Sequence, residues 1–192
     1  MYLDEIRRIL STYRKERISD ERLIPSAVLI LLLEKDRESH LLFTERSYEV
    51  RFHRGQVCFP GGARETSDRS LLDTALRETE EEIGVLAKDV EILGELDDTP
   101  TLSTGYVITP FVGAMPYPYD FECDQRELQQ IFFVPLSFLM DGSNIKEGLP
   151  PWNRRTVKGY FYEYGGHIIW GATARIVRRF TELLTSRSAS PK

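Results

Sequence analysis

The apolar residues of this chain follow two patterns, helical spacing and short continuous runs. Leu3, Ile6 and Leu10 recur among charged residues, so residues 2–16 are predicted to form a helix. Ser26–Leu33 is a continuous apolar run, which is typical of a buried strand. The same reasoning predicts strands over His40–Thr44, Val90–Leu96, Tyr106–Ala114 and Gln130–Val134, and helices over residues 70–83, Leu136–Met140 and Ala172–Leu184.

Glycine and proline divide the remaining segments. Gly165-Gly166 separates Thr156–Tyr164 from His167–Trp170, and this spacing predicts a β-hairpin. Residues 47–69 show no periodicity and contain Pro60-Gly61-Gly62, so they are predicted to form a long loop. Long loops in compact domains are usually functional or disordered.

The mixture of strands and helices predicts an α/β fold in which helices cover a sheet. A chain of 192 residues suits one compact domain, so residues 1–192 are expected to form a single domain. The helices over residues 2–16 and 172–184 are expected to pack on that domain. The tail, residues 186–192, is expected to be flexible.

Composition narrows the class of protein. The net charge of -5 argues against non-specific binding of nucleic acid, which needs a basic surface. Two cysteines cannot form a disulfide framework, and they lack the spacing of zinc ligands. The N-terminus lacks the layout of a signal peptide, and the longest apolar run, Ala27–Leu33, is too short to span a membrane. We therefore expect a cytoplasmic monomer or homodimer without nucleic-acid or membrane partners.

An acidic cluster lies at the end of the helix predicted over residues 70–83. Glu78, Glu81 and Glu82 share one helix face, whereas Glu80 points elsewhere. Their charges repel one another, and the helix dipole disfavours them just before Gly84. A solvated acidic face is one interpretation. A hard divalent cation such as Mg²⁺ would reverse these penalties, which favours a metal site.

The segment around this cluster resembles the Nudix signature, GX5EX7REUXEEXGU. The matching residues are Gly62, Arg77, Glu78, Glu81, Glu82 and Gly84, with Gly61 and Glu65 beside them. Three departures occur: Asp68 replaces the first glutamate, one extra residue precedes Arg77, and Thr79 stands at a normally aliphatic position. The signature belongs to hydrolases that bind divalent metals and cleave nucleoside diphosphates linked to another group.

A second segment, from Leu42 to Gly62, resembles the pattern LLTXR(S/A)X3RX3GX3FPGG of the coenzyme A pyrophosphatase subfamily. It fits from Thr44 onward, with Phe43 in place of the second leucine. Residues 108–113 and 169–175 also resemble that subfamily. The resemblance implies an α/β/α sandwich with a mixed sheet and the loop-helix-loop signature. It also implies hydrolysis of coenzyme A to adenosine 3′,5′-bisphosphate and 4′-phosphopantetheine, with Mg²⁺ or Mn²⁺ as cofactor.

The resemblance and the spacing together suggest roles for the acidic residues. Glu78, Glu81 and Glu82 are expected to bind the metal, and Asp68 either adds a contact to it or caps the loop. Glu127, which precedes the strand at Gln130–Val134, is the candidate general base. The expected catalytic set is Glu81, Glu82, Glu127 and Arg77. Arg77 can also pair with a signature carboxylate and hold the loop, and this second role is favoured.

Substrate contacts are expected from the segment before the helix. Arg46 and Arg51 can recognise phosphate through their guanidinium groups. His53 is a weaker candidate, and surface charge is the alternative for all three. Gly61 and Gly62 permit backbone conformations or close approach that a side chain would block.

Two other functions remain open from the sequence. The chain can be a Nudix hydrolase of ADP-ribose, NADH or nucleoside triphosphates, and the pattern at Leu42–Gly62 favours coenzyme A over these. It can also be a regulatory module that senses a nucleotide without cleaving it. Such a module would be expected to lose the metal carboxylates, and Glu78, Glu81 and Glu82 are all present.

Overall fold

A computed structural model of the chain describes residues 3–47, 55–102, 104–148 and 159–188. The helices are α1 (Leu3–Ser11), α2 (Leu71–Ile83), α3 (Leu136–Met140) and α4 (Gly171–Ser188). The strands are β1 (Ile24–Lys35), β2 (Glu38–Arg46), β3 (Val57–Cys58), β4 (Gly61–Ala63), β5 (Glu91–Glu95), β6 (Thr99–Pro100), β7 (Tyr106–Ala114), β8 (Leu128–Pro135), β9 (Lys146–Gly148), β10 (Gly159–Tyr164) and β11 (His167–Ile169). Two short 3₁₀ helices lie at Ala87–Asp89 and Gly142–Asn144.

The larger sheet is mixed and centres on β1. One edge of β1 runs parallel to β7, from the pair Ile24 and Tyr106 onward. The other edge pairs antiparallel first with β4 and then with β2. β2 also pairs antiparallel with β3 and with β8. The smaller sheet has the order β11, β10, β9. The pairing brings the loop glycines, the end of β2 and the start of β1 to one end of the sheet.

Helices cover both faces of the larger sheet, as the α/β prediction requires. Alternate residues of β1 enter different apolar clusters, because successive strand residues point to opposite faces. Leu29 and Leu31 pack with Ala75 and Ile83 of α2, whereas Ile30 and Leu32 belong to the cluster of α1 and α4. The mixed α/β fold with flanking helices is therefore confirmed. Within the described ranges, no helix combines the length and apolar character needed to cross a membrane.

Several predicted bounds change in the structure. The predicted extent of the first helix to residue 16 is wrong, since α1 ends at Ser11. The last helix is longer than predicted and reaches Ser188. The loop predicted over residues 47–69 contains β3 and β4, which are too short to leave a periodic signal. For the hairpin strand predicted from residue 156, residues 156–158 lie outside the described ranges, and β10 begins at Gly159.

Hydrogen bonds to Asp97 account for the early end of α1. The Asp97 carboxylate accepts from the Tyr13 hydroxyl at 2.5 Å and from the Glu16 amide at 2.8 Å. Its other oxygen accepts from Nε of Arg179, on α4, at 2.7 Å. The chain after Ser11 therefore finds its polar partners in tertiary contacts, which a helical continuation would have to replace.

Replacing Asp97 with alanine should lower the free energy of unfolding by about 2 kcal/mol, because several hydrogen bonds to a charged group are lost together. The melting temperature should fall by roughly 4–8 °C for a chain of this size. The exposed Asp120→Ala variant is the matched control and should melt like the wild type. Equal melting of Asp97→Ala and Asp120→Ala would contradict the role given to Asp97.

Candidate active site

The acidic residues lie on α2, whose ends are both capped. The Ser70 hydroxyl accepts from the Asp73 amide at 3.1 Å, which satisfies one free N–H of the first turn. Gly84 ends the helix in the left-handed conformation, with φ at 73°, and its amide donates to the backbone carbonyl of Glu80. The caps fix the helix between the loop that contains Asp68 and the chain after Gly84.

The three signature carboxylates differ in burial. Glu82 is 4% exposed, Glu78 is half-buried and the side chain of Glu81 is 60% exposed. The pKa of Glu82 is raised to about 8, chiefly by burial and to a smaller extent by the charges of Glu78 and Glu127. Arg46 and the amide of Gly61, which donates to Glu82 Oε2 at 3.3 Å, oppose this rise. Burial also raises the pKa of Glu78.

Arg77 holds the loop to the helix through three carboxylates. Its Nε and Nη2 contact the two oxygens of Asp68 at 3.0 and 3.1 Å. Its Nη1 lies 2.9 Å from Glu78 Oε1 and 3.0 Å from Glu81 Oε2. The bidentate contact with Arg77 holds the pKa of Asp68 well below its usual range. Arg77 therefore orients both the loop and two signature glutamates.

Asp68 has further partners within the loop. Its Oδ2 accepts from the Thr74 hydroxyl at 2.9 Å and from the Glu65 amide at 2.9 Å. Both carboxylate oxygens thus have partners from the protein, and Asp68 is buried. These contacts are those of a loop anchor, the second of the two roles considered for Asp68. Contact between Asp68 and a metal stays a prediction.

The two loop glycines are enclosed by different atoms. A Cβ on Gly61 would lie 2.2 Å from the Ala27 carbonyl oxygen, and Gly61 has φ at 151°, which side chains rarely adopt. A Cβ on Gly62 would lie 2.4 Å from Cδ of Glu78. Gly61 therefore permits strand pairing with β1, whereas Gly62 leaves room for a signature carboxylate.

Arg46 and Glu127 face the acidic helix from β2 and from the segment before β8. The Arg46 guanidinium lies 3.8 Å from Glu82 Oε1 and 3.8 Å from Glu127 Oε2. The Ser47 amide donates to the Glu127 carbonyl at 2.7 Å, which ties the end of β2 to Glu127. Among the described residues, Nε of Arg46 is buried without a hydrogen-bond partner. The structure thus brings together Arg46, Arg77, Glu78, Glu81, Glu82 and Glu127, whereas Arg51 and His53 lie outside the described residues.

These carboxylates match the chemistry of a hard divalent cation. Carboxylate oxygens are the ligands that Mg²⁺ and Mn²⁺ prefer, and a nearby cation would offset both the burial and the neighbouring negative charges that raise the pKa of Glu82. In the described ranges, however, no three acidic, histidine or cysteine side chains already converge as a metal centre. Glu82 and Glu78 form ion pairs with Arg46 and Arg77 instead. The donor types fit, and the side chains would have to turn towards a bound ion.

Sequence reasoning missed three polar residues behind this site. Glu45 accepts a hydrogen bond from Gln130 and contacts a ring nitrogen of His167, and these three residues lie on the face of β2 opposite Arg46. The available signals were the position of Glu45 beside Arg46 and the turn Gly165-Gly166, which places His167 at the start of a strand. Neither signal predicts that these residues, which lie more than eighty positions apart in the sequence, contact each other.

Comparisons with known proteins agree with this architecture. The family model of the NUDIX domain matches residues 23–155. A relative from Photorhabdus laumondii, "Uncharacterized Nudix hydrolase NudL", is 37% identical over 167 residues, which cover 87% of this chain and 88% of the relative. A protein of the same description from Yersinia pestis is 37% identical over 163 residues, covering 82% of this chain and 78% of that protein.

Solved structures share the fold at low sequence identity. The binary complex of a C. elegans Ap4A hydrolase has a TM-score of 0.56 at 14% identity, covering 85% of this chain and 99% of that one. A NUDIX hydrolase from Nitrosomonas europaea has a TM-score of 0.55 at 17% identity, covering 90% of this chain and 77% of that one. At these identities the likeness concerns the arrangement of helices and strands alone.

Proposed function

Because this chain belongs to the Nudix family and is a Nudix hydrolase, we propose that it hydrolyses the diphosphate bond of coenzyme A or its derivatives. The products would be adenosine 3′,5′-bisphosphate and 4′-phosphopantetheine. One observation carries this choice: Arg46, within the segment that resembles the coenzyme A pyrophosphatase pattern, lies 3.8 Å from Glu82 of the acidic helix. This contact supports the choice, because it puts a residue of that pattern beside the proposed catalytic carboxylates.

Glu78, Glu81 and Glu82 are the proposed ligands of Mg²⁺ or Mn²⁺. Nudix hydrolases generally need divalent metal ions. The bound metal would neutralise charge on the diphosphate oxygens and lower the pKa of the attacking water. Arg77 holds Glu78 and Glu81 in place through its own contacts. We assign Asp68 to anchoring Arg77, because both of its oxygens already bind protein donors.

Glu127 is the proposed general base. Its side chain is half exposed, and its charge acts on both Glu78 and Glu82, so it lies near the carboxylates of the acidic helix. From this position it can take the proton of the water that attacks phosphorus. The backbone contact with Ser47 and the ion pair with Arg46 hold Glu127 beside β2.

Arg46 is the proposed phosphate contact among the described residues. A guanidinium group binds phosphate oxygens in a bidentate manner, and Nε of Arg46 has no partner among the described residues. Arg51 and His53, on residues outside the described ranges, are proposed to extend this contact towards the 3′-phosphate. Gly61 and Gly62 let the loop approach the helix closely beside the substrate.

We also propose that the enzyme works as a monomer or homodimer in the cytoplasm. Cys58 and Cys123 are both free thiols, which supports a reducing compartment. Sedimentation of the purified protein would give the oligomeric state, and fractionation of cells would give the location.

The purified protein should cleave coenzyme A when Mg²⁺ or Mn²⁺ is present, and chromatography should separate the two named products. Cleavage should stop when EDTA removes the metal. Coenzyme A without its 3′-phosphate is the matched substrate, and Arg51→Ala should raise the KM for coenzyme A more than for this analogue. Cleavage of ADP-ribose, NADH or a nucleoside triphosphate, with coenzyme A left intact, would replace the proposed substrate and keep the reaction type.

A further inference from the structure

The two faces of β2 carry different chemistry at the end near the active site. Successive residues of a strand point to opposite faces. Arg46 points towards Glu82 of α2, whereas Glu45 lies on the other face, where Phe43 packs in the apolar cluster of α1 and α4. Glu45 therefore lies directly behind Arg46, on the side of the sheet that faces the small sheet.

Glu45 is a buried carboxylate with two side-chain partners. It is 9% exposed. Its Oε2 accepts a hydrogen bond at 2.7 Å from Nε2 of Gln130, the residue paired with it on β8. The same oxygen lies 3.1 Å from Nδ1 of His167, the first residue of β11. Glu45 thus joins the small sheet to β2.

His167 is fixed by its ring face as well as by its nitrogen. The ring stacks on Phe132 with 3.9 Å between centroids and 13° between planes. Phe132 stacks on Phe43, and Phe43 stacks on Phe59, which directly precedes Pro60-Gly61-Gly62. This stack of four rings runs from the β10–β11 hairpin to the loop at Pro60-Gly61-Gly62. The hairpin and this loop therefore pack against the same aromatic side chains.

The pairing of β2 with β8 shifts register between Glu45 and Arg46. The extra residue is Gln129 on β8, opposite the step from Glu45 to Arg46, and bulges of this kind recur beside active sites. The Arg46 amide donates to the Gln56 carbonyl at 3.0 Å, and the Ser47 amide donates to Glu127. The backbone at Arg46 is therefore held on both edges, and the side chain of Glu45 holds the irregular point from behind.

We propose that Glu45, held by His167 and Gln130, is a positioning residue that keeps the guanidinium of Arg46 between Glu82 and Glu127. Burying a carboxylate costs free energy, and apolar residues of the same volume often stabilise a core equally well. The group therefore contributes orientation more than stability. The proposal rests on the function proposed for Arg46, and it does not depend on coenzyme A as the substrate.

A double-mutant cycle tests whether Glu45 acts through Arg46. Glu45→Ala should lower kcat/KM by about tenfold, mainly through KM, when Arg46 is present. In the Arg46→Ala background the same change should have less than about a twofold effect, because the group it positions is gone. Glu45→Gln, which keeps an oxygen acceptor of equal reach, should restore most of the activity. The assay uses whichever diphosphate substrate the wild type cleaves best.

The matched control removes another ion pair of the small sheet. Lys146 and Glu163 pair between β9 and β10, away from β2, so Glu163→Gln should leave kcat/KM unchanged. An equal loss on Glu45→Ala with and without Arg46 would overturn the proposal, since a purely structural role gives additive effects. Melting temperatures of all variants separate loss of fold from loss of positioning.

A readout without turnover separates this inference from the proposed function. The Nε–H signal of Arg46 in an NMR spectrum should shift or broaden in Glu45→Ala and in His167→Phe, which keeps the ring stack and removes the Nδ1 contact with Glu45. The signal should stay unchanged in Glu163→Gln. An unchanged signal in all variants would overturn the positioning role even if coenzyme A is cleaved. A wild type that leaves coenzyme A intact would remove the proposed substrate alone, and the shift of the signal would still support the positioning role.

Discussion

Replacing Glu82 with glutamine should lower kcat by about a hundredfold or more while the fold stays intact. Glu82 is the most buried carboxylate of the acidic helix, and it lies between the Gly61 amide and Arg46. Glutamine keeps the volume and an oxygen acceptor for Gly61, and it removes the negative charge that a divalent cation would bind. Steady-state kinetics at saturating Mg²⁺, with the melting temperature measured in parallel, would check this expectation.

Glu80→Gln is the matched control for this loss. Glu80 lies on the same helix, is exposed and points away from the acidic face. It should therefore keep wild-type activity after the same chemical change. Near-normal activity of Glu82→Gln would remove Glu82 from the metal site, and an equal loss in both variants would point to the charge of the helix as a whole.

The Gly62→Ala variant should lose at least about tenfold in activity with little change in stability. The added methyl would lie 2.4 Å from Cδ of Glu78, which is the movable end of a side chain. The carboxylate can turn away at small cost in stability, but it then leaves the position where it would bind the metal. Titration of activity with Mg²⁺ should show a weaker apparent affinity, and thermal melting should show a nearly unchanged midpoint.

Two other glycines make this prediction specific. Gly142→Ala adds a methyl with no atom within 4 Å and should behave like the wild type. Gly61→Ala would press a methyl against the backbone of Ala27, so we expect it to lower the melting temperature as well. If Gly62→Ala retained full activity and unchanged affinity for Mg²⁺, Glu78 would not be the ligand assigned to it.

The helix of the candidate site could be predicted almost to the residue, because its signals are local. The predicted end before Gly84 is the observed C-cap, and Ser70, which the prediction included in the helix, is its N-cap in the structure. The face shared by Glu78, Glu81 and Glu82 follows from helical geometry alone. The buried strands β1 and β7 could be predicted equally well from the sequence, since continuous apolar runs are typical of strands covered on both faces.

Contacts between residues distant in sequence could not be predicted in the same way. The pairing of Arg46 with Glu82 and of Glu45 with His167 depends on which strands are neighbours and in which register. The first helix ends early for the same reason, because Asp97 offers the following segment hydrogen bonds that its own pattern does not show. Local periodicity gives the elements, and tertiary pairing decides their ends and their partners.

Thr79 shows what the helical signature requires at its aliphatic position. Its side chain is fully buried, and its hydroxyl donates to the Ala75 carbonyl of the same helix at 2.6 Å. The polar atom is thereby satisfied within one turn, and the buried side chain has nearly the volume of valine. The position therefore selects for volume and for the absence of an unsatisfied polar group. A motif search that accepts only aliphatic residues there would overlook chains of this kind, although their helices pack in the same way.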